Sequence, residues 1–313
     1  MQCEVIAECC QNHNGSREIL KKMIHEAKES GATYAKIQAL RSEELTFRKQ
    51  FEKGFVDNDG IVKVIKRPFH LEKERLKKLD LTDDDEFWFV EECRRVGIKS
   101  MITIFARFSA ERLCAAGFDA VKVASYDCKS VSLLKEVSAK FKTVLLSTGA
   151  TFDSEISEAA SLFTKNQVSF LHCVTIYPTP LNEIHLNRMD WLRQFSERVG
   201  FSDHTSPSKT GIKASQLAIA LGANFLERHF TVLKPEETRD GPVSINSGQL
   251  RELCEFARLP KQERVEMISR LWPDWRIGLG ERTRNLSSIE LLNRDYYSGR
   301  VAAWVDGEQV TNE

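Results

Sequence analysis

The stretches RVGFSDHT at 198–205 and NFLERHFT at 224–231 decide how this chain reads. Each begins as a buried strand should, with aromatic and β-branched residues, and turns polar at its C-terminal end. Side chains alternate along a strand, so Ser202 and His204 share one face, and Glu227 and His229 share one face. Strands that end in inward serine, glutamate and histidine suit the mouth of a parallel barrel, where the loops after the strands build the active site. The competing fold, an open doubly wound sheet, usually shows near-continuous apolar strands and a glycine-rich first turn.

The same pattern recurs outward from this pair. Further β-rich runs lie at 3–9, 34–40, 99–105, 120–125, 143–149 and 168–175. Helical stretches are predicted at 17–30, 84–96, 109–116, 130–140, 153–165, 181–197, 209–221 and 247–258. Ser109 and Asp153 read as N-caps, and Gly31, Gly97, Gly117 and Gly222 as helix stops. Repeated strand–helix units in 313 residues predict an α/β protein with the TIM (β/α)8 barrel fold. Residues 1–260 form the barrel in this reading, and 261–313 a C-terminal extension of linker-like sequence with a hairpin turning at Asp306-Gly307. Residues 41–83 are a long charged connection, placed to act as a lid.

Composition narrows the function. Lys+Arg and Asp+Glu are both 45, which gives no electrostatic case for nucleic acid or an anionic membrane as partner. No apolar run is long enough to span a bilayer, and nothing reads as a signal or transit segment. The cysteines are scattered without a CxxC pair, as in a reduced cytoplasmic protein. Cys9-Cys10 is unusual; core packing is its plainer reading, and a reactive thiol the alternative.

The strand ends supply a chemical inventory: Glu8, Lys36, Gln38, Thr103, Lys122, Ser125, Asp127, Ser147, Thr175, Tyr177, Ser202, His204, Glu227 and His229. Adjacent strands lie roughly 4.8 Å apart, so His204 and His229 can reach one first-row divalent ion. Hydrogen-bonded core histidines are the alternative. An inward lysine needs a partner, because an unpaired buried charge is costly. Lys36 and Lys122 with Thr103, Ser125, Ser147 and Ser202 would make a receptor for phosphate plus carboxylate. Internal pairing with Glu8, Asp127 or Glu227 is the bland reading. A Schiff-base lysine is a third.

With IAECCQNHNGS, GATYAKIQAL, VKVASYD, VLLSTGAT, FLHCVTIYPTP, GFSDHT and LGANFLERHFT in one order over 3–231, the chain resembles the sialic acid synthase family. Its members condense phosphoenolpyruvate with an N-acyl amino sugar to give nonulosonic acids. The resemblance implies a barrel with Mn2+, or Mg2+ or Co2+, on His204 and His229. It implies phosphoenolpyruvate held by Lys36, Thr103, Lys122, Ser125, Ser147 and Ser202. Glu8, Asp127, Lys36 and Lys122 take the catalytic roles, and Gln38, Tyr177, Thr175 and Asp240 the sugar contacts. Asp127 stands where the family usually has glutamate, Thr175 where it has asparagine, and Val243 where it has a sugar-facing aspartate, with Asp240 just before. The family's C-terminal antifreeze-like domain has no counterpart. A homodimer is possible. A different aldose acceptor, an inactive barrel with a binding or regulatory role, and a Schiff-base lyase are the rival readings.

Overall fold

Alternation at a period of two sorts each apolar run into an inward and an outward set, and the strands obey it. The computed structural model describes residues 2–312. Strands β1 (Glu4–Cys10) and β2 (Tyr34–Ala39) come first, then a small antiparallel hairpin, β3 (Phe55–Val56) and β4 (Val62–Val64). They are followed by β5 (Lys99–Ile104), β6 (Ala120–Val123), β7 (Val144–Ser147), β8 (Val168–His172), β9 (Val199–Asp203) and β10 (Phe225–His229). Strands β1, β10, β9, β8, β7, β6, β5 and β2 close in that order into a parallel barrel ringed by helices, which is the TIM (β/α)8 fold. No helix among the described residues is long and apolar enough to cross a membrane.

The inward set makes a floor. Ile6, Tyr34, Met101, Ala120, Leu145, Leu171 and Phe225 pack as one buried cluster. Gly200 holds the corresponding place in β9, where a Cβ would meet the Phe225 carbonyl oxygen at 2.4 Å. Two residues further along the same faces come Glu8, Lys36, Thr103, Lys122, Ser147, Ser202 and Glu227, all buried. The period that buries the floor therefore also raises a polar tier directly above it. The outward residues, among them Val5, Ile37, Ile102, Val121, Leu146, Phe170 and Leu226, pack with the helices in the main core.

One outward pair braces the mouth. Asp203 and Arg228 are fully buried and form an ion pair at 2.6 Å. Arg228 also donates to the carbonyls of Asp203 (3.0 Å) and Thr205 (2.7 Å), and Ser215 donates to Asp203. The ends of β9 and β10 are thereby tied together one residue before His204 and His229.

Several helical expectations change. The stretch 181–197 is a 3-10 turn, Leu181–Glu183, and a short helix, Arg188–Leu192, separated at His185, whose φ is 46°. The stretch 209–221 breaks at Gly211 into Pro207–Thr210 and Lys213–Ala220. Asp153 is the first helical residue rather than the N-cap; Glu155 accepts from the Phe152 N–H, and Asp153 pairs with Arg188 at 2.6 Å. Ser109 sits at a cap position but makes no side-chain cap bond. The connection 41–83 contains the β3–β4 hairpin and a helix, Phe69–Lys77. Residues after 260 are more than linker: helices Lys261–Leu271 and Ser288–Tyr297 precede the hairpin β11 (Ala302–Val305) and β12 (Glu308–Thr311). Ile268 and Trp272 join the main core, and Ser287 and Glu290 form a capping box at the start of the second helix. That hairpin turns with positive φ at Asp306 and Gly307.

Candidate functional site

The polar tier opens into a cavity of ≈ 560 Å³ above the floor. At its base, Lys36 is ion-paired with Glu8 and lies 3.4 Å from Glu227. Its Nζ donates to Thr103 Oγ1 at 2.8 Å. Lys122 donates to Ser147 Oγ (2.6 Å) and the Val123 carbonyl (3.2 Å), and sits 4.0 Å from Glu227. Ser202 donates to Glu227 at 2.8 Å. The lysines are internally paired, and they also line the cavity beside the hydroxyls of Thr103, Ser147 and Ser202.

The charges are tuned by this pairing. Burial alone would raise the Glu227 carboxyl, but Lys122 and Lys36 more than offset it and hold it at about 2. Burial lowers Lys122 against the pull of Glu227. For Lys36 burial acts downward too, yet Glu227 and Glu8 outweigh it and the ammonium is stabilised. The base therefore balances two ammonium groups with two carboxylates. An entering anion does not meet an uncompensated charge; it competes with carboxylates for ready donors.

Above the base, Gln38 donates to Glu8 and to the Cys10 sulfur, both at 3.2 Å. Tyr177 leans on His204, ring centroids 4.4 Å apart, and His204 faces His229 at 5.3 Å. Burial, then the neighbouring His229, pushes His204 well below the usual imidazole range, so it presents a neutral ring. The Nδ1 atoms of His204 and His229 are buried without a hydrogen-bond partner among the described residues. Two buried imidazoles with orphaned nitrogens fit a first-row divalent cation. His229 also belongs to a second donor group, with the Cys10 sulfur and an Asp240 oxygen, all within 4.8 Å of one another.

Two expected residues are not brought into the cavity. Ser125–Asp127 forms one 3-10 turn that places Ser125 and Tyr126 in the lining and swings Asp127 away. Asp127 instead accepts from Ser130 (3.1 Å) and Asn312 (3.0 Å). Thr175 is fully buried and absent from the lining, and its carbonyl accepts from Asn293 at 2.7 Å. Ser125 lines the cavity but faces Cys173 at 3.0 Å and accepts from the Gly149 N–H at 3.1 Å. Asp240 and Val243 both line the cavity.

The outer wall was not legible in the strand pattern. Arg67, Glu72 and Arg75 come from the 41–83 connection, Arg239 from the loop after β10, and Asn293, Tyr297 and Arg300 from the C-terminal segment. Glu72 binds Arg75 (2.9 Å), Arg300 (2.5 Å) and Arg239 (3.4 Å). Burial would raise its carboxyl, but Arg75, Arg300 and Arg239 outweigh that and hold it at about 2. Arg67 donates to the Tyr297 hydroxyl at 2.9 Å, and Tyr297 stacks on Tyr126 at 4.6 Å. The signal that pointed here was the length and charge of the 41–83 connection.

A sequence model described as the NeuB family matches residues 23–266. The chain is 31% identical over 264 residues to the N,N'-diacetyllegionaminic acid synthase of Campylobacter jejuni, which covers 80% of this chain and 74% of that one. It is 30% identical over 266 residues to the protein of the same name from Legionella pneumophila, covering 82% and 72% respectively. Its structure is similar to that of the N-acetylneuraminic acid synthetase of Leptospira borgpetersenii, with a TM-score of 0.70 at 25% identity over 95% of this chain and 91% of that one.

Proposed function

Since this chain belongs to the NeuB family, we propose that it condenses phosphoenolpyruvate and water with the aldehyde of an N-acyl amino sugar. The products are a nonulosonic 3-deoxy-2-keto acid and phosphate. The observation that carries this reading is the buried tier of Lys36, Lys122, Thr103, Ser147 and Ser202 beside Glu8 and Glu227 at the cavity base. Lys36 and Lys122 hold the phosphate and carboxylate of the donor, with Thr103, Ser147, Ser202 and Ser125 as hydroxyl partners. Gln38, Tyr177 and Asp240, which line the same cavity, take the acceptor in this reading.

His204 and His229 would hold a divalent cation, whose chemistry when bound is to polarise the acceptor aldehyde. The donor's C3 forms the new bond to that carbon, and cationic character develops at C2. Water adds at C2. With Asp127 turned away, Glu8 is the carboxylate placed to take the water's proton and return it to the new alkoxide oxygen. The hemiketal then loses phosphate by C–O cleavage, its hydroxyl proton leaving with the phosphate. Lys36 and Lys122 stay on the anionic groups throughout, so no charge is exposed to a bare apolar floor.

A phosphate-release screen with phosphoenolpyruvate, Mn2+ and a panel of N-acyl amino sugars tests this. Release that depends on one acceptor, with a keto acid lengthened by three carbons, is the expected result. No phosphate release with any acceptor in the panel, together with an adduct trapped by borohydride on either lysine when pyruvate is supplied, would replace the condensation with lyase chemistry.

A further inference from the structure

The two adjacent cysteines have different surroundings. Cys9 points outward into the main core, where packing accounts for it. Cys10 lines the cavity. It lies at a register shift between β1 and β2 and holds φ at 47°, a conformation that residues with a side chain rarely adopt. Strained backbone of this kind is kept where the surroundings fix it, often at functional sites. The position presents its sulfur to Asp240 Oδ2 at 2.8 Å and to the Gln38 amide at 3.2 Å. Across from it stands His229, buried, its Nδ1 without a hydrogen-bond partner among the described residues.

We propose that Cys10 and Asp240 join His229 as direct ligands of the divalent cation, making this a sulfur-containing metal centre. The sulfur, the imidazole nitrogen and the carboxylate oxygen lie within 4.8 Å of one another, so a small inward movement brings them onto bonds of about 2.0–2.3 Å to one ion. In the free protein the thiol proton fills the gap between sulfur and carboxylate. On binding, that proton passes to solvent and the cation takes its place. The Gln38 N–H then supports the thiolate from the second shell, as outer partners do for metal ligands. His204 stands beside the group, its ring centroid 5.3 Å from that of His229.

The donor set decides the metal. Thiolate, imidazole and carboxylate together favour Zn2+, Co2+ or Fe2+ over Mn2+ and Mg2+, which prefer oxygen. This inference concerns the cation shell alone, so its outcome is separable from whether the chain condenses phosphoenolpyruvate.

The test is Co2+ titration of the metal-free chain of 313 residues, read by absorption. A thiolate-to-cobalt charge-transfer band in the near ultraviolet is expected. It should vanish in Cys10→Ser while the exposed Cys114 and the other thiols remain. Zn2+ affinity should fall by at least about 100-fold in that variant, since even outer-shell changes cost about 10–100-fold. Asp240→Asn should weaken Co2+ but keep the band. X-ray absorption of the zinc-loaded wild type provides a readout that no variant's folding can affect, and one sulfur at about 2.3 Å is expected. A shell of nitrogen and oxygen only, or a Cys10→Ser protein that binds Co2+ with wild-type affinity and spectrum, overturns the proposal.

Discussion

Replacing Glu72 by glutamine removes the one carboxylate shared by Arg75, Arg239 and Arg300. These arginines come from the 41–83 connection, the loop after β10 and the C-terminal segment, so Glu72 is the point where three separate pieces of chain are held over the cavity. Its carboxyl is depressed from 4.5 to about 2. One pKa unit is about 1.4 kcal/mol, so the ionised form contributes on the order of 3 kcal/mol to folding. Because the folded value is the lower one, this stability is present in full above the unfolded value and is lost as pH falls toward 2. At an unfolding entropy of roughly 2.1 cal/mol/K per residue, 3 kcal/mol in a chain of 313 residues lowers Tm by about 5 °C. Thermal unfolding of wild type and Glu72→Gln should differ by that amount at pH 7 and converge as pH approaches 2. Limited proteolysis should cut the variant within 279–287 sooner than wild type. A Tm difference that stays constant down to pH 2, or none at pH 7, would refute the reasoning.

Other outcomes follow from the same geometry. Lys122→Met should lower kcat/KM for phosphoenolpyruvate by about 100-fold, the scale of losing one charge-stabilising donor, with the effect mainly in the donor's KM; steady-state kinetics with the acceptor saturating checks it. Asp203→Asn leaves Arg228 buried without its counter-charge and should cost about 3–5 kcal/mol in denaturant unfolding, though neither residue faces the cavity. His204→Ala should lose bound metal, measured by elemental analysis, together with phosphate release, while Tm in chelator stays within a few degrees of wild type. Arg239, whose side chain is 40% exposed at the mouth, should act on anion capture: Arg239→Gln should lower kcat/KM at low salt and match wild type at about 1 M, where screening is nearly complete.

The barrel was legible because its two requirements leave the same mark. Apolar floor residues and the polar tier above them alternate in one period, so Tyr34 predicts where Lys36 points and Phe225 where Glu227 points. Local turns broke the inference first. Asp127 follows Ser125 closely in sequence, but a 3-10 turn separates their directions. Thr175 lies past the end of β8, where strand alternation no longer assigns a face. The arginine wall was half within reach: the 41–83 connection stood out by its length and charge, but not the residues it would meet. Glu72 and Arg300 are 228 residues apart, and nothing periodic links a surface-like helix to a distant hairpin approach. Cys10 was half readable: alternation sets it on the Glu8 face and Cys9 on the other, but the register shift and the positive φ at Cys10 leave no mark in the sequence.

The helix Ser288–Tyr297 and Arg300 wall a cavity whose base is complete by His229. The lysines and imidazoles of the cavity therefore lie earlier in the chain than the wall that covers them. A chain clipped by a protease ahead of residue 288 would keep all the barrel strands and lose that wall. Such a nick should therefore uncouple anion binding at the base from any chemistry that needs the cavity closed to bulk water.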